Sequence, residues 1–265
     1  MTRMHITTAQ TVAGQRLEYR LIQAQDPTAP TMVFLHEGLG SVSLWRDIPD
    51  RLARATGCQA LVFSRRGFGG SEPLAPPYRR PPNYLHIEAL EVLPQILDHF
   101  GITNPILFGH SDGATIALIH AAATQRPVAA AIVEAAHVFV EPVTLAGIRA
   151  AHEAWETTDL RQKLARHHRH VEGTFQGWVE TWLHPDFRDL DIQDLLPGIT
   201  CPLLVIQGTN DEYGTEAQVI AIASQVSGPK QTLIIPNCGH SPHRDHPKIV
   251  LDATLAFLDR HLASS

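Results

Sequence analysis

The sequence predicts an α/β protein: a mostly parallel, doubly wound sheet of eight strands with one helical insertion. Three observations carry that expectation. Short apolar runs such as Thr31-Met32-Val33-Phe34-Leu35 and Ala60-Leu61-Val62-Phe63 lack polar alternation, as strands covered on both faces do. These runs alternate with stretches of helical length, the rhythm of crossover connections between parallel strands. That rhythm breaks once, from about Pro142 to Leu196, where no strand-like run occurs.

Taken in order, residues 4–8 and 16–23 alternate like two antiparallel strands joined through Ala13-Gly14-Gln15, and Asp26 to Pro30 reads as a loop. The strand 31–35 ends in a glycine-rich loop, His36-Glu37-Gly38-Leu39-Gly40-Ser41. Residues 43–56 then have helical periodicity, with Trp45, Ile48, Leu52 and Ala55 on one face. The strand 60–63 runs into Ser64-Arg65-Arg66-Gly67-Phe68-Gly69-Gly70-Ser71. A loop with five prolines, Glu72 to Pro82, precedes a helix from Tyr84 to Phe100, whose Pro94 predicts a kink or early end. The apolar set of this helix is Leu85, Leu90, Leu93, Ile96, Leu97 and Phe100. Strand 105–108, helix 115–123 and strand 128–133 follow. Helical stretches 144–156, 159–170 and 174–183 fill the insertion. Strand 202–207, helix 215–226, strand 231–235 and a last helix from His246 to His261 complete the chain.

The 265 residues, 44% of them hydrophobic, suit one large core with an insertion better than two independent domains. The core is assigned to 1–141 and 197–265, and a helical cap to 142–196. A net charge of -6 with no basic block argues against nucleic acid as a partner. The pairs Arg65-Arg66 and Arg79-Arg80 read as structural or solvated. Cys58, Cys201 and Cys238 are too few and too far apart for a disulfide framework or a zinc site, and read as small buried hydrophobes of a reducing compartment. No run reaches 18 apolar residues and the N-terminus has no apolar signal core, so a cytoplasmic protein with no membrane partner is expected. Whether it forms a homo-oligomer is not legible.

The chemistry gathers around Leu107-Phe108-Gly109-His110-Ser111-Asp112-Gly113-Ala114, an apolar strand, a tight turn and an apolar helix. A G-x-S-x-G turn in that setting holds its serine strained and exposed above a sheet. Serine is a weak nucleophile without a base, and the base needs an acid to fix its tautomer. Asp211, just past strand 202–207, and His240, just past strand 231–235, lie at carboxyl ends of predicted strands, where open α/β sheets gather ligands.

With these residues in place the chain resembles the α/β-hydrolase superfamily over nearly its whole length. Arg65-Arg66-Gly67-Phe68-Gly69-Gly70-Ser71 is similar to that family's D-x-R-G-x-G-x-S turn, with Ser64 where an aspartate is usual. Gly239-His240-Ser241-Pro242-His243-Arg244-Asp245-His246-Pro247 is similar to its G-H-x-P-x-x-E-x-P segment. The resemblance implies Ser111 as nucleophile, Asp211 as acid and His240 as base, with the backbone N–H groups of Asp112 and Gly38 as oxyanion donors. Glu37 departs from the glycine expected there, and either supports its loop or shapes the site with its carboxylate. His110 is commonplace at its motif position, and the Asp112 side chain is expected to point away from the chemistry.

Other candidates rank lower. Glu134, ending strand 128–133, is the runner-up acid. His137, Phe139, Trp178 and Trp182 are candidates for the pocket between core and cap. His167, His168 and His170 fall on a predicted helix and read as a solvated face rather than a metal site. The implied activity is hydrolysis of a small-molecule carboxylic ester through an acyl-enzyme, with no metal and no organic cofactor. Alternatives are a C–C bond hydrolase of a vinylogous diketone, which needs an arginine such as Arg149, Arg161 or Arg188 for its carboxylated substrate, or a lactonase or thioesterase. A non-catalytic ligand-binding protein is disfavoured because all three catalytic-type residues are present.

Overall fold

Eight strands form one sheet in this computed structural model, which describes residues 6–12, 14–24 and 29–262. They are β1 (Ile6–Val12), β2 (Gln15–Ile22), β3 (Met32–Leu35), β4 (Ala60–Ser64), β5 (Ile106–His110), β6 (Ala130–Glu134), β7 (Leu203–Gly208) and β8 (Lys230–Ile235). Their spatial order is β1-β2-β4-β3-β5-β6-β7-β8. The pairs β1–β2 and β2–β4 are antiparallel, and every other pair is parallel. The expected first strand is shifted to Ile6–Val12, Gln15 belongs to β2, and Met4, His5, Ala13 and most of the 26–30 loop lie outside the described residues.

The continuous apolar runs become strands buried on both faces, because successive side chains point to opposite sides. On β3, Val33 and Leu35 face one core, shared with Leu107, Val133 and Val205. Met32 and Phe34 face the other, where Phe34, Trp45 and Phe108 pack with ring centroids 5.2–5.7 Å apart.

Several helices differ from expectation for local reasons. Residues 43–56 are interrupted by Arg46 at φ 52°, leaving a 3-10 turn over Val42–Trp45 and then α1 (Ile48–Thr56). The register shifts, so Ala53 is buried and Ala55 exposed. The helix from Tyr84 is continuous through Pro94, but only because a π turn (Glu88–Val92) separates α2 (Tyr84–Ile87) from α3 (Leu93–His99). Proline lacks an N–H and crowds the carbonyl one turn back, and the wider turn relieves both. The same turn leaves Leu90 38% exposed and puts Glu88 inside, 3.7 Å from Arg80.

The helix α4 (Asp112–Ala123) starts immediately after Ser111 and is buried along most of its length. Between β6 and β7 lie α5 (Pro142–Thr157), α6 (Leu160–Ala165) and α7 (Val171–Trp182), followed by 3-10 turns at Pro185–Phe187 and Gln193–Gly198. The expected helix 159–170 thus ends at Ala165, and the histidines at 167, 168 and 170 sit in the following turn. This segment is fastened over the carboxyl ends of the strands. The Thr174 hydroxyl donates to the Gly67 carbonyl at 2.6 Å, and the Arg80 N–H donates to Thr181 Oγ1 at 2.9 Å. The chain closes with α8 (Glu216–Gln225), α9 (Pro242–Asp245) and α10 (Pro247–Leu262). Among the described residues no helix is long and apolar enough to cross a membrane.

Candidate active site

Ser111 occupies the single residue between β5 and α4, at φ 52° and ψ -116°. A non-glycine residue there costs on the order of 1–3 kcal/mol, so its surroundings must hold it. Its N–H donates to the Glu134 carbonyl at 2.9 Å, and its carbonyl accepts from the Thr115 N–H at 3.0 Å. The flanking glycines are steric necessities. A Cβ on Gly109 would strike the Gly113 carbonyl, and one on Gly113 the Leu35 carbonyl.

Asp211 and His240 meet as the sequence predicts. His240 Nδ1 lies 2.8 Å from Asp211 Oδ1 and 3.0 Å from Oδ2. A carboxylate only accepts, so Nδ1 carries the proton and Nε2 keeps its lone pair. Gln207 Nε2 donates to Asp211 at 2.7 Å, and the N–H groups of Tyr213 and Gly214 donate at 2.8 and 3.2 Å. Burial alone would raise the Asp211 pKa, but His240 and the Tyr213 N–H hold it below the ordinary aspartate value. Ser111 and His240 line the same cavity.

The runner-up acid is engaged elsewhere. Glu134 Oε2 accepts from His243 Nδ1 at 2.6 Å, so it serves a different histidine, one whose ring packs 4.9 Å from Trp45. Beside this pair lies a link between loops that the sequence did not show. His110 Nε2 donates to the His240 carbonyl at 2.6 Å, while its Nδ1 faces Glu37 Oε2 at 3.4 Å. Burial lowers the His110 pKa, yet Glu37, Glu134 and the His240 carbonyl together raise it above its ordinary value. Burial likewise works against the Glu37 carboxylate, but His110, His36 and His243 drive its pKa far below the usual range. Glu37 therefore supports its loop as an ion-pair partner while also lining the cavity.

The glycine-rich loop after β3 is pinned from below. His36 Nδ1 donates to the Glu37 carbonyl at 2.7 Å and its Nε2 accepts from the Arg65 N–H at 2.9 Å. The buried Arg65 guanidinium reaches the carbonyls of His36 and Glu37 and, at 3.2 Å, the Asp112 carboxylate. That carboxylate also accepts from the Tyr84 hydroxyl at 2.6 Å and from Trp182 Nε1 at 3.2 Å, so it is a buried junction between core and helical insertion. Ser64, in place of the motif aspartate, donates to Glu18 Oε2 at 2.7 Å and accepts from the Val42 N–H at 2.9 Å. Glu18 Oε2 also accepts from the Gly70 N–H at 2.8 Å, so β2 supplies the carboxylate that position 64 lacks.

The cavity has a volume of about 80 Å³, small beside the roughly 300–1,000 Å³ of drug-sized ligand sites. Glu37, Gly38, His137, Trp178 and Trp182 line it as expected; Phe139 does not. Phe139 pairs with Asp191 in an isolated bridge and packs against the core, because the chain has already turned away from the strand ends there. Missed by sequence were Leu39, Thr144, Ile148 and Tyr213, which face the cavity from a loop, from α5 and from the segment after Asp211. Among the described residues no arginine or lysine lines it, and Arg149, Arg161 and Arg188 are exposed, with Arg161 paired to Glu172. His167 bonds Ser43, His168 accepts from the Gly69 N–H and donates to the Leu39 carbonyl, and His170 accepts from the Gly173 N–H. Among the described residues no group of three or more such side chains is placed to hold a metal ion. Cys58 and Cys238 are buried as expected, whereas Cys201 is partly exposed.

A family model described as the alpha/beta hydrolase family matches residues 32–253. The chain is 25% identical to the sn-1-specific diacylglycerol lipase ABHD11 of Mus musculus, over 91% of this chain and 85% of that protein. Among solved structures it is similar to a meta-cleavage product hydrolase from Pseudomonas fluorescens, with TM-score 0.76, 14% identity, and 96% and 98% of the two chains covered. It is also similar to an esterase from Exiguobacterium antarcticum, with TM-score 0.73, 19% identity, and 95% and 98% covered.

Proposed function

Because the chain belongs to the alpha/beta hydrolase family, we propose that it hydrolyses a small, uncharged carboxylic ester through an acyl-enzyme on Ser111. The observation that carries this reading is His240, oriented by Asp211 at 2.8 Å and lining the cavity that Ser111 lines. Ser111 Oγ attacks the ester carbonyl and its proton passes to His240 Nε2. The tetrahedral oxyanion is held by the N–H groups of Asp112, at the start of α4, and Gly38. Collapse breaks the C–O bond, and the leaving alcohol takes the proton from His240. Water, deprotonated by His240, then attacks the acyl-enzyme and frees Ser111.

The residues 142–196 act as a lid in this scheme, supplying Trp178, Trp182, Thr144 and Ile148 to the substrate site. The small cavity favours short acyl or alcohol groups. A carboxylated substrate finds no cation on these walls among the described residues and meets the carboxylate of Glu37, which weighs against C–C bond hydrolysis of an anionic dienoate. Lactones and thioesters would follow the same steps.

The test is a burst experiment with p-nitrophenyl acetate. The expected result is release of about one equivalent of p-nitrophenol before steady state, abolished in Ser111→Ala. A full burst in Ser111→Ala would remove the serine from the mechanism.

A further inference from the structure

His137 stands across Ser111 from the Gly38 loop. In the sheet, β3 and its loop flank β5 on one side, and β6, which leads to His137, flanks it on the other. The ring is 2% exposed, lies 5.3 Å from Trp182 and 5.8 Å from His240, and lines the cavity. Its backbone is fixed at both ends by one side chain. The Thr115 hydroxyl donates to the His137 carbonyl at 2.7 Å, and the His137 N–H lies 3.2 Å from the same oxygen.

The two ring nitrogens are in different situations. Nδ1 is sealed from solvent and has no hydrogen-bond partner among the described residues. Nε2 has no partner among the described residues either, but it is not sealed, and the cavity is where the ring is open. The ring is neutral: burial, aided by His240, pushes its pKa down to about 4, against the pull of Asp211, Asp112 and Glu141. A neutral imidazole has one N–H to place. A buried N–H without an acceptor is costlier than a bare lone pair, so the proton belongs on Nε2, where a ligand can meet it. With no carboxylate on Nδ1, His137 lacks the support that makes His240 a base. It is built as a donor. Across the cavity Trp178 Nε1, close enough to Gly38 to exclude a side chain there, also has no hydrogen-bond partner among the described residues.

We propose that His137 determines specificity: its Nε2–H donates to a second, neutral acceptor oxygen of the substrate, an ether, keto or hydroxyl oxygen on the β6 side of the scissile carbonyl. This rests on the reading of Ser111 as nucleophile. A donor with nothing to bind costs an all-carbon substrate more than one carrying the oxygen, so the substrates are oxygenated esters rather than simple alkyl ones.

The test compares isosteric esters that differ by one oxygen for one methylene. On the acyl side these are p-nitrophenyl butyrate and p-nitrophenyl methoxyacetate; on the alcohol side, butyl acetate and 2-methoxyethyl acetate. Each ratio of kcat/KM is measured in the native protein and in His137→Phe and His137→Gln, so that intrinsic reactivity cancels. In at least one pair, His137→Phe should shift the ratio about tenfold toward the hydrocarbon ester, the size of one hydrogen bond, and His137→Gln should restore part of it. Ratios unchanged in both pairs, with Ser111 still labelled by a fluorophosphonate, would overturn the role of His137 alone. Failure of the native protein to hydrolyse any of the four esters or to be labelled would overturn both readings.

Discussion

Two histidine–carboxylate pairs look nearly alike, their histidines three residues apart, His240 in the loop after β8 and His243 in α9. His240 meets Asp211 at 2.8 Å, and His243 meets Glu134 at 2.6 Å. Their surroundings differ. The His240 ring opens on the cavity of Ser111, between Tyr213 and His137, whereas His243 is packed against Trp45 and His110 beneath it. Either pair makes a polarised imidazole; in the proposed mechanism it is the opening onto the cavity of Ser111 that lets His240 act. Glu134 offers the same carboxylate chemistry to a histidine that does not line that cavity.

That comparison breaks cleanly under substitution. The largest effect belongs to His240→Asn, which should lower turnover by about 10³-fold or more with little change in melting temperature. A variant retaining most of its turnover would show that the base lies elsewhere. His243→Ala should do the reverse. It leaves the Glu134 carboxylate buried without its partner, with Oε1 already unbonded, a loss of about 3–5 kcal/mol. Calorimetry should show a melting temperature lower by roughly 10 °C, and turnover per folded molecule within a few-fold of native.

The smallest effect is expected at Glu37 and His110. His110 has a raised folded-state pKa, so its contribution is complete below its ordinary value of 6.5 and is lost as pH rises through the folded value. Glu37 has a depressed one, so its contribution is present above 4.5 and is lost as pH falls through the folded value. The pair is therefore fully stabilising between about pH 4.5 and 6.5. Glu37→Gln should cost a few degrees there, about 1 kcal/mol, and flatten the decline on the alkaline side. An unchanged profile of melting temperature against pH would mean that the pair contributes nothing.

What the sequence revealed follows a physical pattern. The strands β3 to β7 were legible because burial on both faces leaves unbroken apolar runs, and Ser111 and Asp211 because each follows such a run; β8, at the sheet edge and half-buried, has only a short apolar end, Leu233 to Ile235, to announce His240. Contacts decided by strand order were not legible. His110 ends β5 and Glu37 lies two residues past the end of β3, so they meet only because β3 lies beside β5, and Glu18 reaches Ser64 only because β2 lies beside β4. Side chains arriving from the insertion, Thr144 and Ile148, carry no signal beyond helical periodicity. Phe139 was misplaced because two residues past His137 the backbone has already left the cavity.

The proposed mechanism requires that Ser111 be activated through His240 and not through His243. The direct measurement is incubation with a fluorophosphonate, followed by mass spectrometry of the peptide containing Ser111, for the native protein, His240→Asn and His243→Ala. Labelling of Ser111 in the native protein and in His243→Ala, with labelling slowed by about 10³-fold in His240→Asn, is the predicted result. Equal labelling rates in all three, or an adduct on another residue, would contradict it.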